Sequence, residues 1–320
     1  MFYPRDGLAG EHQPKRRGRF PPWLPWAGGA AAAGLAISTL AVVLLKPAAP
    51  PPAPEPEAPV EQAPLGGKYR LQGAGARPPA GETREGVEAA TSRPVVACCL
   101  SANASALDPK AAETLLAEAR AVAALRHPAL AEALEVVEEP PAVYLVSEAV
   151  RGRSLQALLL EKRKLDLVTA AAVLKPVCEA LAAAHDQNLA HRDLRPFNIV
   201  LADGGAVKLT GFGVGRVAGS PVYRAPEAQF GKHSKEGDVY AAGVCLYEML
   251  TGAPPFPPGA SLTDRMEKRY PAASSLVPGL SPAVDELIGA ALEPDPAKRL
   301  ASAADFARGL DAALTPRPAV

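Results

Sequence analysis

Hydrophobic and polar positions divide the start of the chain into three stretches. Residues 1–22 are polar and basic, with Arg5, Lys15, Arg16, Arg17 and Arg19 set against Asp6 and Glu11. From Trp23 to Leu45 no residue is charged, and the run from Ala27 to Leu45 is apolar or small throughout. An α-helix needs roughly 20 such residues to cross a hydrocarbon layer ~30 Å thick. The stretch 23–45 therefore predicts a single transmembrane helix, with Trp23 and Trp26 as interfacial aromatics at one end. A cleaved signal peptide is the competing reading, but its apolar core and leading segment are both shorter. Residues 46–67 form a proline-rich linker in which Glu55, Glu57 and Glu61 stand among prolines, the composition of an extended, semi-rigid spacer. Further along, Asn198-Ile-Val-Leu and Val207-Lys-Leu flank a turn at Asp203-Gly204-Gly205, the pattern of a short β-hairpin.

Charge placement orients the span. Four cations lie between Lys15 and Arg19, whereas after the span only Lys46 is close and the next is Lys68. The positive-inside rule then leaves the N-terminus in the cytoplasm and carries everything after residue 46 across the membrane. The inverted alternative keeps the C-terminal part cytoplasmic. The formal net charge of zero over 320 residues removes any global argument for nucleic acid or for an acidic partner. The four cysteines, Cys98, Cys99, Cys178 and Cys245, form no CxxC or Cys/His pattern, so zinc is not indicated. Cys178 and Cys245 read as small buried hydrophobes on helices. A disulfide between adjacent Cys98 and Cys99 would be strained; one inward and one outward strand residue fits them better.

The chemistry is concentrated in His191-Arg192-Asp193-Leu194-Arg195-Pro196-Phe197-Asn198, followed by Gly211-Phe212-Gly213. Ala225-Pro226-Glu227 comes next, then Asp238-Val-Tyr-Ala-Ala-Gly-Val, then Arg299 in Asp-Pro-Ala-Lys-Arg. Upstream, Glu118 lies in Leu-Leu-Ala-Glu-Ala-Arg before Leu-Arg-His-Pro. This ordered series resembles the eukaryotic-type protein kinases, the family that includes the bacterial Ser/Thr kinases. The resemblance covers about residues 68–312. It implies an α+β, bilobal protein-kinase-like fold, with a small β-rich N-lobe over 68–148 and a larger helical C-lobe over 149–312, leaving 313–320 as a tail. In that family Asp193 would be the catalytic base, Arg195 would stand where a lysine is usual, and Asn198 would ligate magnesium. His191, Phe212 and Val122 match the hydrophobic spine, while Glu227 with Arg299, and Asp238 with the catalytic loop, match buried structural ties.

Three departures bear on function. Gly211 replaces the aspartate that holds magnesium, leaving Asn198 as a single neutral metal ligand. The strand Pro94 to Leu100 lacks the phosphate-gripping lysine; nineteen residues from Cys99 to Glu118 favour Cys99 over Cys98 at that position, and Glu118 then loses its ion-pair partner. The phosphate loop begins Gly73-Ala-Gly75 but places Pro78, which has no N–H to donate, where the third glycine belongs. Around the hinge, Ser147-Glu148-Ala149 keeps a place for an adenine, with Glu148 among the degenerate nucleotide positions. These features together read as a membrane-anchored pseudokinase that acts as a scaffold or sensor for protein partners and requires no cofactor. Two alternatives stay open: an active or weakly active Ser/Thr kinase using ATP and magnesium, and a metal-free nucleotide binder.

Overall fold

The computed structural model describes residues 63–73, 78, 80–212 and 220–315. The basic segment, the Trp23–Leu45 span, most of the proline-rich linker, Gly75 and the end of the tail lie outside them. The remainder has two lobes.

The first lobe is a five-stranded antiparallel sheet in the order β1-β2-β3-β5-β4. Its strands are β1 (Tyr69–Leu71), β2 (Thr83–Glu88), β3 (Pro94–Ser101), β4 (Ala133–Glu139) and β5 (Ala142–Glu148), with one helix, α1 (Pro109–Ala124), between β3 and β4. α1 starts where Asp108 accepts a hydrogen bond from the Ala111 N–H and Pro109 presets the first helical φ. One face of the sheet closes over a small apolar cluster that includes Leu65, Tyr69, Val95, Ala97, Cys99, Tyr144 and Val146. The other face meets α1 and the second lobe.

The second lobe is helical. β6 (Gly152–Ser154), α2 (Leu155–Lys162) and α3 (Leu167–His185) come first, followed by β7 (Ile199–Ala202) and β8 (Val207–Leu209), which form a small sheet with β6. β7 and β8 are the expected hairpin, with Ile199 opposite Leu209. Then come α4 (Lys235–Thr251), α5 (Leu262–Met266), α6 (Ala273–Leu276), α7 (Pro282–Ala291) and α8 (Ala303–Leu314). Twelve of the seventeen residues of α4 are buried, which makes it the central post of this lobe. Its Gly243 lets α7 approach closely, since a Cβ there would lie 2.7 Å from that of Ala291. α3 is long and apolar enough to cross a membrane, but its alanines pack it into the lobe's core, with Cys178 and Cys245 beside them. The lobes are stitched by backbone bonds from Leu209 N–H to the Ala129 carbonyl (2.7 Å) and from Ala131 N–H to the Leu209 carbonyl (2.8 Å).

Candidate nucleotide and catalytic site

The catalytic loop hangs from one carboxylate. Asp238, in the first turn of α4 and 1% exposed, accepts from the backbone N–H groups of His191 (2.7 Å) and Arg192 (2.8 Å). It also bonds His185 Nε2 at 2.9 Å. This tie holds Arg192 at a left-handed φ of 69°. His191 is fully buried, and burial pushes its pKa down, so the ring is neutral. Its tautomer follows from its partners: Nε2 must donate to the Thr210 carbonyl at 2.9 Å, while Nδ1 accepts from the Asp193 N–H at 3.2 Å. The ring then meets Phe212 edge-on, with centroids 4.9 Å apart.

Asp193 is held by Asn198, whose Nδ2 donates to the Asp193 carbonyl (2.7 Å) and carboxylate (3.0 Å). Arg195 Nε lies 3.2 Å from the same carboxylate, and its guanidinium sits 5.0 Å over the exposed ring of Phe197. Burial raises the Asp193 pKa, with Arg195, His191 and Asn198 opposing it. The base position is therefore formed and oriented.

The metal position is not equipped. Gly211 has φ +76°, and a Cβ there would lie 3.2 Å from the Asn198 side-chain amide. The backbone thus aims position 211 at Asn198, but glycine supplies no oxygen. Among the described residues no group of three or more His, Cys, Asp or Glu side chains could hold a metal ion. A magnesium ion would find the neutral Asn198 and no carboxylate at 211, so the residues present do not fit the metal that the fold implies.

The strand register corrects one expectation. Directly opposed residues of an antiparallel pair share a face. Cys98 pairs with Leu145 and Thr83, and Val96 with Ser147 and Glu85. Leu145 and Ser147 line a cavity of about 20 Å³ together with Gly211 and Phe212, so this is the face toward the cleft. Cys98, not Cys99, takes the lysine position; Cys99 packs in the apolar cluster on the opposite face. The count of nineteen residues from Cys99 misled because a register shift between Cys99 and Ser101 and a 3-10 turn at Ala104–Ala106 lie on the way to α1. Burial pushes the Cys98 thiol up to about 12, so it carries no charge at neutral pH, and all four cysteines are free. Among the six positions Thr83, Glu85, Val96, Cys98, Leu145 and Ser147, the only charge is Glu85. A carboxylate on this ceiling repels phosphate. Strand alternation in the sequence carries that signal.

Glu148 needs a second correction. Its side chain turns to the back of the hinge, where it accepts from the Glu132 N–H and Lys208 Nζ (both 3.1 Å) and lies 3.5 Å from Arg93. It braces the lobes and does not reach into the cleft. Gly73 ends β1's extension at φ +92°, with the Arg84 guanidinium beside it. Glu118 pairs with Arg192 of the catalytic loop at 2.6 Å.

Downstream, the segment after Ser220 is pinned at every turn. Arg265, 5% exposed, donates to the carbonyls of Pro221 (2.8 Å), Val222 (3.4 Å) and Arg224 (2.9 Å). Tyr223 donates to Glu248 at 2.7 Å. Arg299 grips Glu227 through both terminal nitrogens (2.7 and 3.0 Å) and caps the carbonyls of Glu236, Glu293 and Pro294. Arg265 falls in no motif, and Glu248, within the helix string that starts at Asp238, carries no sequence signal of its bond to Tyr223.

The family model described as the protein kinase domain matches residues 73–308. The chain belongs to the protein kinase family. It is 33% identical over 264 residues to the serine/threonine-protein kinase PknL of Mycobacterium bovis, covering 78% of this chain and 66% of that protein. To the serine/threonine-protein kinase PknA of Mycobacterium tuberculosis it is 36% identical over 276 residues, covering 79% and 64% respectively. The chain thus spans somewhat less than two thirds of these kinases. Among solved structures, the kinase domain of Mycobacterium tuberculosis PknI superposes with a TM-score of 0.62 at 24% identity, over 78% of this chain and 96% of that one, a likeness of fold. Within this kinase domain Asn198 and Arg195 meet the Asp193 carboxylate and His191 holds the Asp193 backbone N–H, while the side chains at positions 211 and 98 contribute neither oxygen nor cation. Gly75 of the phosphate loop lies outside the described residues.

Proposed function

We propose that this protein is a catalytically impaired kinase domain, a pseudokinase that serves as a scaffold or sensor for protein partners and requires no nucleotide or metal. The single observation that supports it most is Gly211 facing Asn198, a metal position with its charged ligand removed. Cys98 in place of lysine and Glu85 on the cleft ceiling act in the same direction, against a polyphosphate. Phosphoryl transfer is chiefly positioning and charge neutralisation, so the loss of both anchors strikes at the whole reaction. The test is phosphoryl transfer from labelled ATP by the purified full chain, with magnesium or manganese, beside its Asp193→Asn variant. Equal background from both supports the proposal; transfer that only the parent shows overturns it.

A second reading, a weakly active Ser/Thr kinase, draws on the formed Asp193–Asn198 pair and on the names of the relatives. A metal-free nucleotide binder would keep only the hinge, and an ATP response in EDTA would favour it. For placement, we propose anchoring through Trp23–Leu45 with the kinase domain outside the cytoplasm. Alkaline phosphatase fused after Val320 should then be active; an inactive fusion would favour the inverted arrangement and with it the kinase reading.

A further inference from the structure

The Glu118 carboxylate of α1 reaches the catalytic loop. With neutral Cys98 at the strand position, Glu118 would be a half-buried charge without a cation, which is costly. It is instead paired at 2.6 Å with Arg192, the two side chains being 14% and 17% exposed. Arginine stays charged at any ordinary pH and fits a carboxylate fork. Arg192 is itself fixed, because its N–H donates to Asp238 at 2.8 Å and Asp238 belongs to α4. The ion pair therefore links the one helix of the first lobe to the central helix of the second.

We propose that the Glu118–Arg192 ion pair is an interlobe clasp that holds α1 in one docked position without nucleotide, metal or phosphorylation. A lysine that must also serve ATP ties the state of α1 to ligand; an arginine on the catalytic loop does not. The domain then offers partners one fixed conformation. This deepens the pseudokinase reading, but it can fail separately, since loss of catalysis does not require the clasp.

The experiment is amide hydrogen exchange on the full 320-residue chain in detergent, with no nucleotide, for Glu118→Gln, Arg192→Gln, Arg192→Lys and the double glutamine variant. Each single glutamine variant should speed exchange across Pro109–Ala124 by about tenfold or more while leaving Leu167–His185 unchanged. Arg192→Lys should retain most of the protection. The double variant should exchange no faster than the worse single one, because one interaction is lost only once. Should Arg192→Gln loosen Leu167–His185 as well, Glu118→Gln decides, since Glu118 lies in the first lobe. Exchange in Glu118→Gln within about twofold of the parent, or effects that multiply in the double variant, would overturn the clasp.

Discussion

The side-chain amide of Asn198 and the bare α-carbon of Gly211 face each other at the open end of the β7–β8 hairpin, close enough that any side chain at 211 would begin 3.2 Å from Asn198. Position 211 thus points at Asn198 but carries no side chain that could bring an oxygen there. Glycine fits the left-handed φ of +76° without strain, and aspartate is among the residues that tolerate it.

Restoring both anchors is therefore a direct test. The parent chain should show no change in melting temperature with millimolar ATP and magnesium. Gly211→Asp with Cys98→Lys should gain a magnesium-dependent rise, since ligand at a hundred times its Kd adds about 2.7 kcal/mol. The control is Gly211→Asp with Cys99→Lys, which places an ammonium among Val95, Tyr144 and Val146 on the wrong face. That variant should melt lower than the parent and gain nothing from nucleotide. A response from the Cys99 variant and none from the Cys98 variant would reverse the register.

Arg299 should be the most expensive single side chain to remove from the second lobe. Its side chain is 0% exposed against Glu227 at 12%, and it also caps three carbonyls. Arg299→Ala leaves a buried carboxylate unpaired, a loss of about 3–5 kcal/mol readable by urea denaturation. Arg299→Met with Glu227→Gln removes both charges and should cost less than the single alanine change. An Arg299→Ala variant within about 1 kcal/mol of the parent would show the pair to be dispensable.

The two-lobed fold was legible because its motifs are local and their order is fixed. Asp193, Asn198, Glu227, Asp238 and Arg299 each sit in a short string whose spacing reflects a loop or helix geometry. Counting residues failed where the backbone departs from regular spacing: between Cys99 and α1 a shifted register and a 3-10 turn take up length, so the count chose the wrong cysteine. Ion-pair partners across lobes were also beyond reach. Glu118 is seventy-four residues from Arg192, and only the packed lobes bring them to 2.6 Å. The same holds for Arg265, whose carbonyl partners lie more than forty residues upstream.

Glu148 makes stability depend on pH at the hinge. Burial works to raise its pKa, but the Glu132 N–H, Lys208 and Arg93 outweigh it and hold the carboxyl below its ordinary value. A depressed folded pKa contributes stability that is present above the unfolded value of about 4.3 and lost as pH falls through the folded one. Glu148→Gln should thus lower the melting temperature at pH 7, by the equivalent of roughly 1 kcal/mol for a partly exposed network, and the deficit should shrink toward pH 3. A deficit independent of pH would mean that shape, not charge, holds the hinge.

Asp193 behaves in the opposite sense, and this separates a retained base from a retained strut. Burial raises its folded pKa, with Arg195, His191 and Asn198 opposing. A raised carboxyl pKa favours folding below the unfolded value of about 3.9, and that contribution is lost as pH rises through the folded value. At pH 7 the ionised carboxylate is a net burden, and Asp193→Asn should leave the melting temperature equal or higher. The advantage should vanish as pH falls toward 4. Asn198 Nδ2 can still donate to the new amide oxygen and to the backbone carbonyl, so the loop keeps its shape. Under the pseudokinase proposal the variant should also keep its function in cells, because no proton needs to be abstracted. If Asp193→Asn keeps its melting temperature but loses a phosphotransfer that the parent shows, the carboxylate is retained for chemistry and the enzyme reading takes its place.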